Sequence, residues 1–104
     1  MYPINSRFEW DSKKAIVNLR NHGVSFEDAA EALSDPNGLV IYDQLHSIHE
    51  DRFCWIGLSS KGVLSVVITD RQDDRVCRII SARRASRNER IRYYENEKTY
   101  HNRP

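Results

Sequence analysis

The sequence predicts an α+β fold with two amino-terminal helices, a four-stranded antiparallel sheet arranged as a meander, and a carboxy-terminal helix. Three observations predict it. Apolar residues recur at helical spacing up to about residue 34. From Leu39 the character is extended in four successive runs, LVIYD, RFCWIGLS, GVLSVVITD and RVCRIIS, separated by turn residues. At Ser86 the period changes back to that of a helix.

Phe8 and Trp10 flank Glu9 in a short strand or extended lead-in, and Asp11 then caps a helix from Ser12 to about His22. Gly23 is suited to the left-handed conformation that ends a helix. On this helix Ala15, Ile16 and Leu19 share an apolar arc, while Lys14, Asn18 and His22, at four-residue steps, form a polar stripe beside it. The usual fate of such a stripe is a solvent-facing border. Ser25 with Asp28 repeats the capping signal, and Phe26, Ala29, Ala30 and Leu33 place a second helix over about 26 to 34, ended by Asp35-Pro36-Asn37-Gly38. The connections at Ser59 to Gly62 and Asp70 to Asp74 are short enough for hairpins, hence the meander. The final helix runs from Arg87 to about Tyr100 with Ile91 and Tyr94 as its apolar contacts, and His101 to Pro104 fray.

The stretch from Arg75 to Tyr94 concentrates the chemistry. Val76, Arg78 and Ile80 alternate with Cys77, Ile79 and Ser81, and continued extension puts Arg83 on the face of Cys77, Ile79 and Ser81. Ser86 and Glu89 make a capping box that starts the last helix at Arg87. Arg83 and Arg84 lie between strand end and helix start, and Arg87, Arg90 and Arg92 follow in the first turns. Guanidinium groups beside helix-start amides suit phosphate. A solvated arginine-rich helix face would use the same residues.

A chain of 104 residues is read as one domain, 1–104, with a single modest core. Cys54 and Cys77 sit in apolar alternating runs without metal or disulfide spacing, which points to a reducing, cytoplasmic home. The amino terminus lacks an apolar signal core, and no run approaches the roughly 18 apolar residues of a membrane helix. The net charge of +1 is unevenly spread: from Arg75 onward nine Lys or Arg face three Asp or Glu, giving +6, while residues 1–74 hold seven against twelve, giving −5. A basic third on an otherwise acidic chain suits a polyanion or an acidic protein.

His46, His49 and Glu50 form H-x-x-H-E, but after a turn rather than on a helix and without a nearby cysteine, so no metal is assigned. Neither a nucleophile motif nor a glycine-rich phosphate loop is present, and no cofactor is expected. What remains is a set of cations and a histidine: Lys14, His22, Arg52, Arg83, Arg84, Arg87 and Arg90. Such a set suits cleavage of RNA by its own 2′-hydroxyl, which needs a base, cations for the charge building on the phosphate, and a proton for the leaving oxygen. Histidine exchanges protons near neutrality, and arginine matches phosphate with a planar fork. The alternative is a non-catalytic basic module that binds RNA or an acidic protein.

FEWDSKKAIVNLRNHGVSFEDAAEAL at 8–33, EDRFCWIGLSSKG at 50–62 and RIISARRASRNERIRYYE at 78–95 resemble the three signature blocks of the BrnT family of bacterial type II toxins. The resemblance covers nearly the whole chain. It implies a fold similar to RelE, an endoribonuclease activity that inhibits translation on free or ribosome-bound RNA, and a ribbon-helix-helix, BrnA-like antitoxin. That antitoxin would neutralise the toxin, and operator DNA would be bound only through their complex. Lys14, Asn18 and His22 match the family's first-helix pattern, Arg52 its second block, and Arg83, Glu89 and Arg90 its third. Asn21 stands where lysine is common, and Asp51 where glutamate is common. From the chemistry of the cation set together with this match, Lys14, His22, Arg52, Arg83 and Arg90 are expected to be catalytic, and Asn18, Arg84 and Arg87 to bind RNA.

Overall fold

A computed structural model describes residues 7–42, 52–71 and 76–101. In chain order these form β1 (Arg7–Glu9), α1 (Ser12–His22), α2 (Phe26–Leu33), β2 (Leu39–Tyr42), β3 (Arg52–Ser59), β4 (Gly62–Arg71), β5 (Val76–Arg84) and α3 (Arg87–His101). The helices start and stop where the capping residues dictate. Asp11 Oδ1 accepts the amides of Lys13 and Lys14 at 2.8 and 3.0 Å, Gly23 ends α1 at φ 68°, and Ser25 and Asp28 close a reciprocal capping box on α2.

The sheet has five strands and is mixed, in the order β1-β5-β4-β3-β2, which corrects the expected four-stranded antiparallel sheet. The meander from β2 to β5 is antiparallel as expected, and β1 adds to it in parallel beside β5, with Phe8 opposite Cys77. The short strand or lead-in expected around Phe8 and Trp10 is thus a strand of the sheet, held there by contacts distant in sequence. Phe8 and Trp10 pack on the core, and the Glu9 carboxylate meets the Arg78 guanidinium at 3.4 Å.

β5 departs from its expected form in two further ways. It continues through Arg84 rather than ending near Ser81, because β4 offers Ser65 and Leu64 as partners for Arg83 and Arg84. It also contains a bulge: Val67 pairs with Ser81 and Ile68 with Ile79, so Ile80 has no partner in the register. One extra residue reverses the alternation beyond it. Cys77, Ile79 and Ala82 therefore share the buried face, while Ser81 and Arg83 lie on the other, contrary to the unbroken alternation read from the sequence.

α1 and α2 cover one face of the sheet, enclosing Val24, Phe26, Ala29, Leu33, Leu64, Val66 and Ile68 around Trp55. The Trp55 indole donates to Ala32 O at 2.7 Å, and Gly38 makes room for its ring, since a Cβ there would lie 1.9 Å from Trp55 Cζ2. Of the expected apolar arc of α1 only Ala15 packs on the core: Ile16 and Leu19 are 59 and 52% exposed, whereas Asn18 is 6% exposed. The reason is electrostatic. β1 pairs with β5 only as far as Arg78, so the backbone of Ala82 needs other partners. The Asn18 amide supplies them, with Nδ2 donating to Ala82 O at 2.8 Å and Oδ1 accepting from Ala82 N at 3.1 Å.

On the opposite face α3 buries Tyr93 against Ile56, Val63 and Ala85. Ile91 and Tyr94, the contacts expected from the sequence, are 45 and 48% exposed. The Tyr93 hydroxyl donates to Asp35 Oδ2, which also accepts the Leu58 amide at 2.8 Å, so one carboxylate fastens the α2–β2 turn, the end of β3 and α3 together. Neither cysteine is in a disulfide. Among the described residues no helix is long and apolar enough to cross a membrane.

Candidate active site

The end of β5 sets the site. Opposite Ser65 on the α3 side of the sheet, Arg83 grips Glu89 end-on: Nη1 donates to Oε1 at 2.8 Å and Nη2 to Oε2 at 3.0 Å. Nη1 also donates to Arg84 O at 3.2 Å. Glu89 in turn accepts the Ser86 amide at 2.7 Å, while Ser86 Oγ accepts the Glu89 amide at 3.2 Å. One carboxylate thus caps α3 and orients the guanidinium. The Arg83 hydrogen bonds hold the Glu89 carboxyl below its ordinary value, and the Glu89 hydrogen bonds hold Arg83 above its own. The side edge of Arg83, formed by Nε–H and the remaining Nη2–H, has no partner among the described residues and presents two parallel donors.

Lys14 and His22 are exposed on α1, and both line a cleft of about 300 Å³ between α1 and the bulge of β5. Asn18, between them on the same stripe, is committed to the fold. Its two N–H groups go to Ala82 O and Val24 O, the latter at 2.9 Å, so both of its donors are engaged by backbone. Its effect is positional: it clamps the α1 stripe to Ala82, the residue immediately before Arg83.

Arg52 opens β3 in the row Arg52–Thr69–Arg78, which by alternation lies on the same face as Arg83. Neighbouring strands are roughly 5 Å apart, so the Arg52 and Arg78 backbones stand about 10 Å apart across β4, and the Arg78 guanidinium lies 3.4 Å from Glu9. Arg78 was not singled out by the sequence, because unbroken alternation placed it on the face opposite Arg83; the bulge at Ile80 brings the two onto one face. The other arginines support the frame or face solvent. Arg84 donates to Lys61 O at 2.8 Å, tying β5 to the β3–β4 turn, Arg90 donates to Ala85 O at 2.9 Å across the strand-to-helix link, and Arg87 is exposed. Among the described residues no three His, Cys, Asp or Glu side chains group to hold a metal. The H-x-x-H-E stretch, His46 to Glu50, lies outside the described residues.

These features define a class: a small α+β protein whose last described strand and following helix meet in a junction rich in arginine. The profile of a family described as the ribonuclease toxin, BrnT, of type II toxin-antitoxin systems matches residues 10–89. The chain belongs to the BrnT toxin family. The match takes in all of α1 and ends at Glu89, so it includes the Asn18 clamp and the Arg83–Glu89 pair and stops one residue before Arg90. No curated protein matches the chain.

Proposed function

We propose that the protein is an endoribonuclease toxin that cuts RNA through attack of the 2′-hydroxyl on the adjacent phosphate, leaving a 2′,3′-cyclic phosphate and a free 5′-hydroxyl, without a metal. The observation that carries this reading is the clamp at Ala82. It fixes a stripe bearing a histidine and a lysine to the residue before Arg83, whose oriented guanidinium leaves β5 on the α3 side of the sheet. In the reaction His22 exchanges the proton, Lys14, Arg52 and the open edge of Arg83 take the charge that develops on the phosphate, and Arg90 adds a cation at the junction. Arg84 and Arg87 hold the RNA backbone beyond the cut, while Asn18 positions α1. Cleavage of cytoplasmic RNA, free or on the ribosome, inhibits translation. A ribbon-helix-helix antitoxin covers the arginine surface, and only the complex binds operator DNA.

Incubating the purified protein with RNA, with and without EDTA, tests the reading. Cleavage in both, with cyclic phosphate at the new ends, is the expected result, and the assay is repeated with translating ribosomes. Binding without cleavage of either substrate would instead identify a non-catalytic basic module.

A further inference from the structure

The cleft between α1 and β5 contains more than the two residues assigned above. Its walls are built from one helix stripe and one bulge. Lys13, Val17 and Asn21 run along α1 beside Lys14 and His22, and Ile80, the residue without a partner in the β4–β5 register, forms the opposite wall. The volume, about 300 Å³, lies at the small end of the range for ligand sites, roughly 300–1,000 Å³, which suits one nucleotide and not two.

The lining is divided by chemistry. Val17, 49% exposed, and Ile80 are two aliphatic side chains suited to the flat faces of a base. Lys13 and Lys14 are exposed cations suited to a phosphate. Asn21 is exposed on the helix and has no partner among the described residues, unlike Asn18 one turn earlier, which is consumed by backbone. Its amide presents a donor and an acceptor side by side, the pair that can read a base edge, adenine best of all. An acidic peptide could satisfy the lysines but would leave the aliphatic walls and the amide without a matching group.

We infer that this cleft is a nucleotide subsite, in which Val17 and Ile80 sandwich one base of the RNA, Asn21 reads its edge, and Lys13 holds the phosphate beside it. Asn21 thereby sets which base lies next to the cut. The inference rests on the ribonuclease reading for its place in a reaction, but binding in the cleft is testable without any cleavage.

The experiment is a nuclear magnetic resonance titration of the full chain, labelled with 15N, using AMP, GMP, CMP and UMP separately. The expected result is saturable movement of the Asn21 side-chain amide and of the Lys13 and Ile80 signals, with AMP tightest and the preference among the four lost in Asn21→Ala. That substitution improves intrinsic helix propensity at an exposed site, so the variant should fold. A Val17→Asp variant should weaken AMP by about tenfold or more, equivalent to about 1.4 kcal/mol. The inference is overturned if all four nucleotides move the Asn21 signals equally, if movement is confined to Arg83 and Arg52, or if a poly-glutamate peptide moves the cleft signals and nucleotides do not. Sequencing of cut ends separates this from the ribonuclease reading. RNA cut with an unchanged base preference in Asn21→Ala removes the subsite and leaves the activity standing, whereas failure to cut removes the activity and leaves the titration to decide the cleft.

Discussion

A guanidinium already gripped end-on by a carboxylate can still take a phosphate on its side edge, and this determines what substitutions at Arg83 do. Arg83→Lys keeps the charge but loses both the grip on Glu89 and the two parallel donors. Single-turnover cleavage should fall by on the order of a hundredfold in Arg83→Lys and in Arg83→Ala, the usual loss for one transition-state donor. His22→Gln should be similarly inactive, and Arg92→Ala should cost little. Because Arg83 is about half exposed, its ion pair contributes little to stability, so the melting midpoint should hardly move. Near-full activity in Arg83→Lys would show a diffuse basic surface instead of an oriented donor. Asn18 should behave in the opposite way. Asn18→Ala leaves Ala82 N–H, Ala82 O and Val24 O without their partner, at a cost of about 2–4 kcal/mol in all, and the midpoint should drop by on the order of 10 °C. Thermal denaturation followed by circular dichroism distinguishes the two residues.

At the scale of elements, α3 depends on one anchor and one cap. Its sequence is so polar that Tyr93 supplies most of its hold on the sheet, burying its ring and bonding Asp35. Tyr93→Ala should loosen α3 and speed hydrogen exchange along it, while Tyr93→Phe keeps the packing and loses only the hydroxyl bond. The cap gives a pH dependence whose sign follows from Glu89. Its folded pKa is depressed by Arg83 below the ordinary 4.5, so its contribution is fully present above that value and is lost as pH falls through the depressed one. In urea titrations, wild type should exceed Glu89→Gln in stability at neutral pH, and the gap should close at acid pH. A gap that stayed constant would mean that the pair adds nothing to the fold. α1, by contrast, was read only in part: Ala15 packs on the core and Lys14 and His22 are exposed as expected, but Asn18 is buried and Ile16 and Leu19 are not. Hydrophobic periodicity assumes that a helix packs on side chains, whereas α1 docks onto a strand edge, where backbone donors and acceptors recruit Asn18 inward and Ile16, Val17 and Leu19 face out.

For the whole molecule, what was legible in the sequence was whatever depends on neighbours a few residues apart: the Asp11, Ser25 and Ser86 caps, the Gly23 stop, and the runs that became β2 to β5. What was not legible depends on residues far apart in the chain. The extended character of β1 was read, but its parallel place beside β5 was not, and the bulge at Ile80 is a mismatch between two strands that neither strand displays alone. The candidate site was half legible for the same reason. Its cations and Glu89 were named from their types and spacing, but the face shared by Arg52, Arg78 and Arg83 follows from the bulge. This arrangement makes a prediction about the partner. The chain carries +6 from Arg75 onward and −5 before it, so a protein that silences the site must cover Arg83 to Arg92 with acidic or amphipathic surface. The oriented side edge of Arg83 and the exposed Arg87 are the groups such a segment would occupy first. Expressed alone, the wild-type chain should arrest growth, and co-expression of its antitoxin should restore it. Arg83→Ala should be harmless alone, and with Arg87→Ala it should bind the antitoxin more weakly and with a shallower dependence on salt, because fewer charges are screened. If soluble wild-type protein leaves growth and translation unchanged, the toxin reading fails. If the double variant binds the antitoxin as tightly as wild type at every salt concentration, the partner docks elsewhere on the molecule.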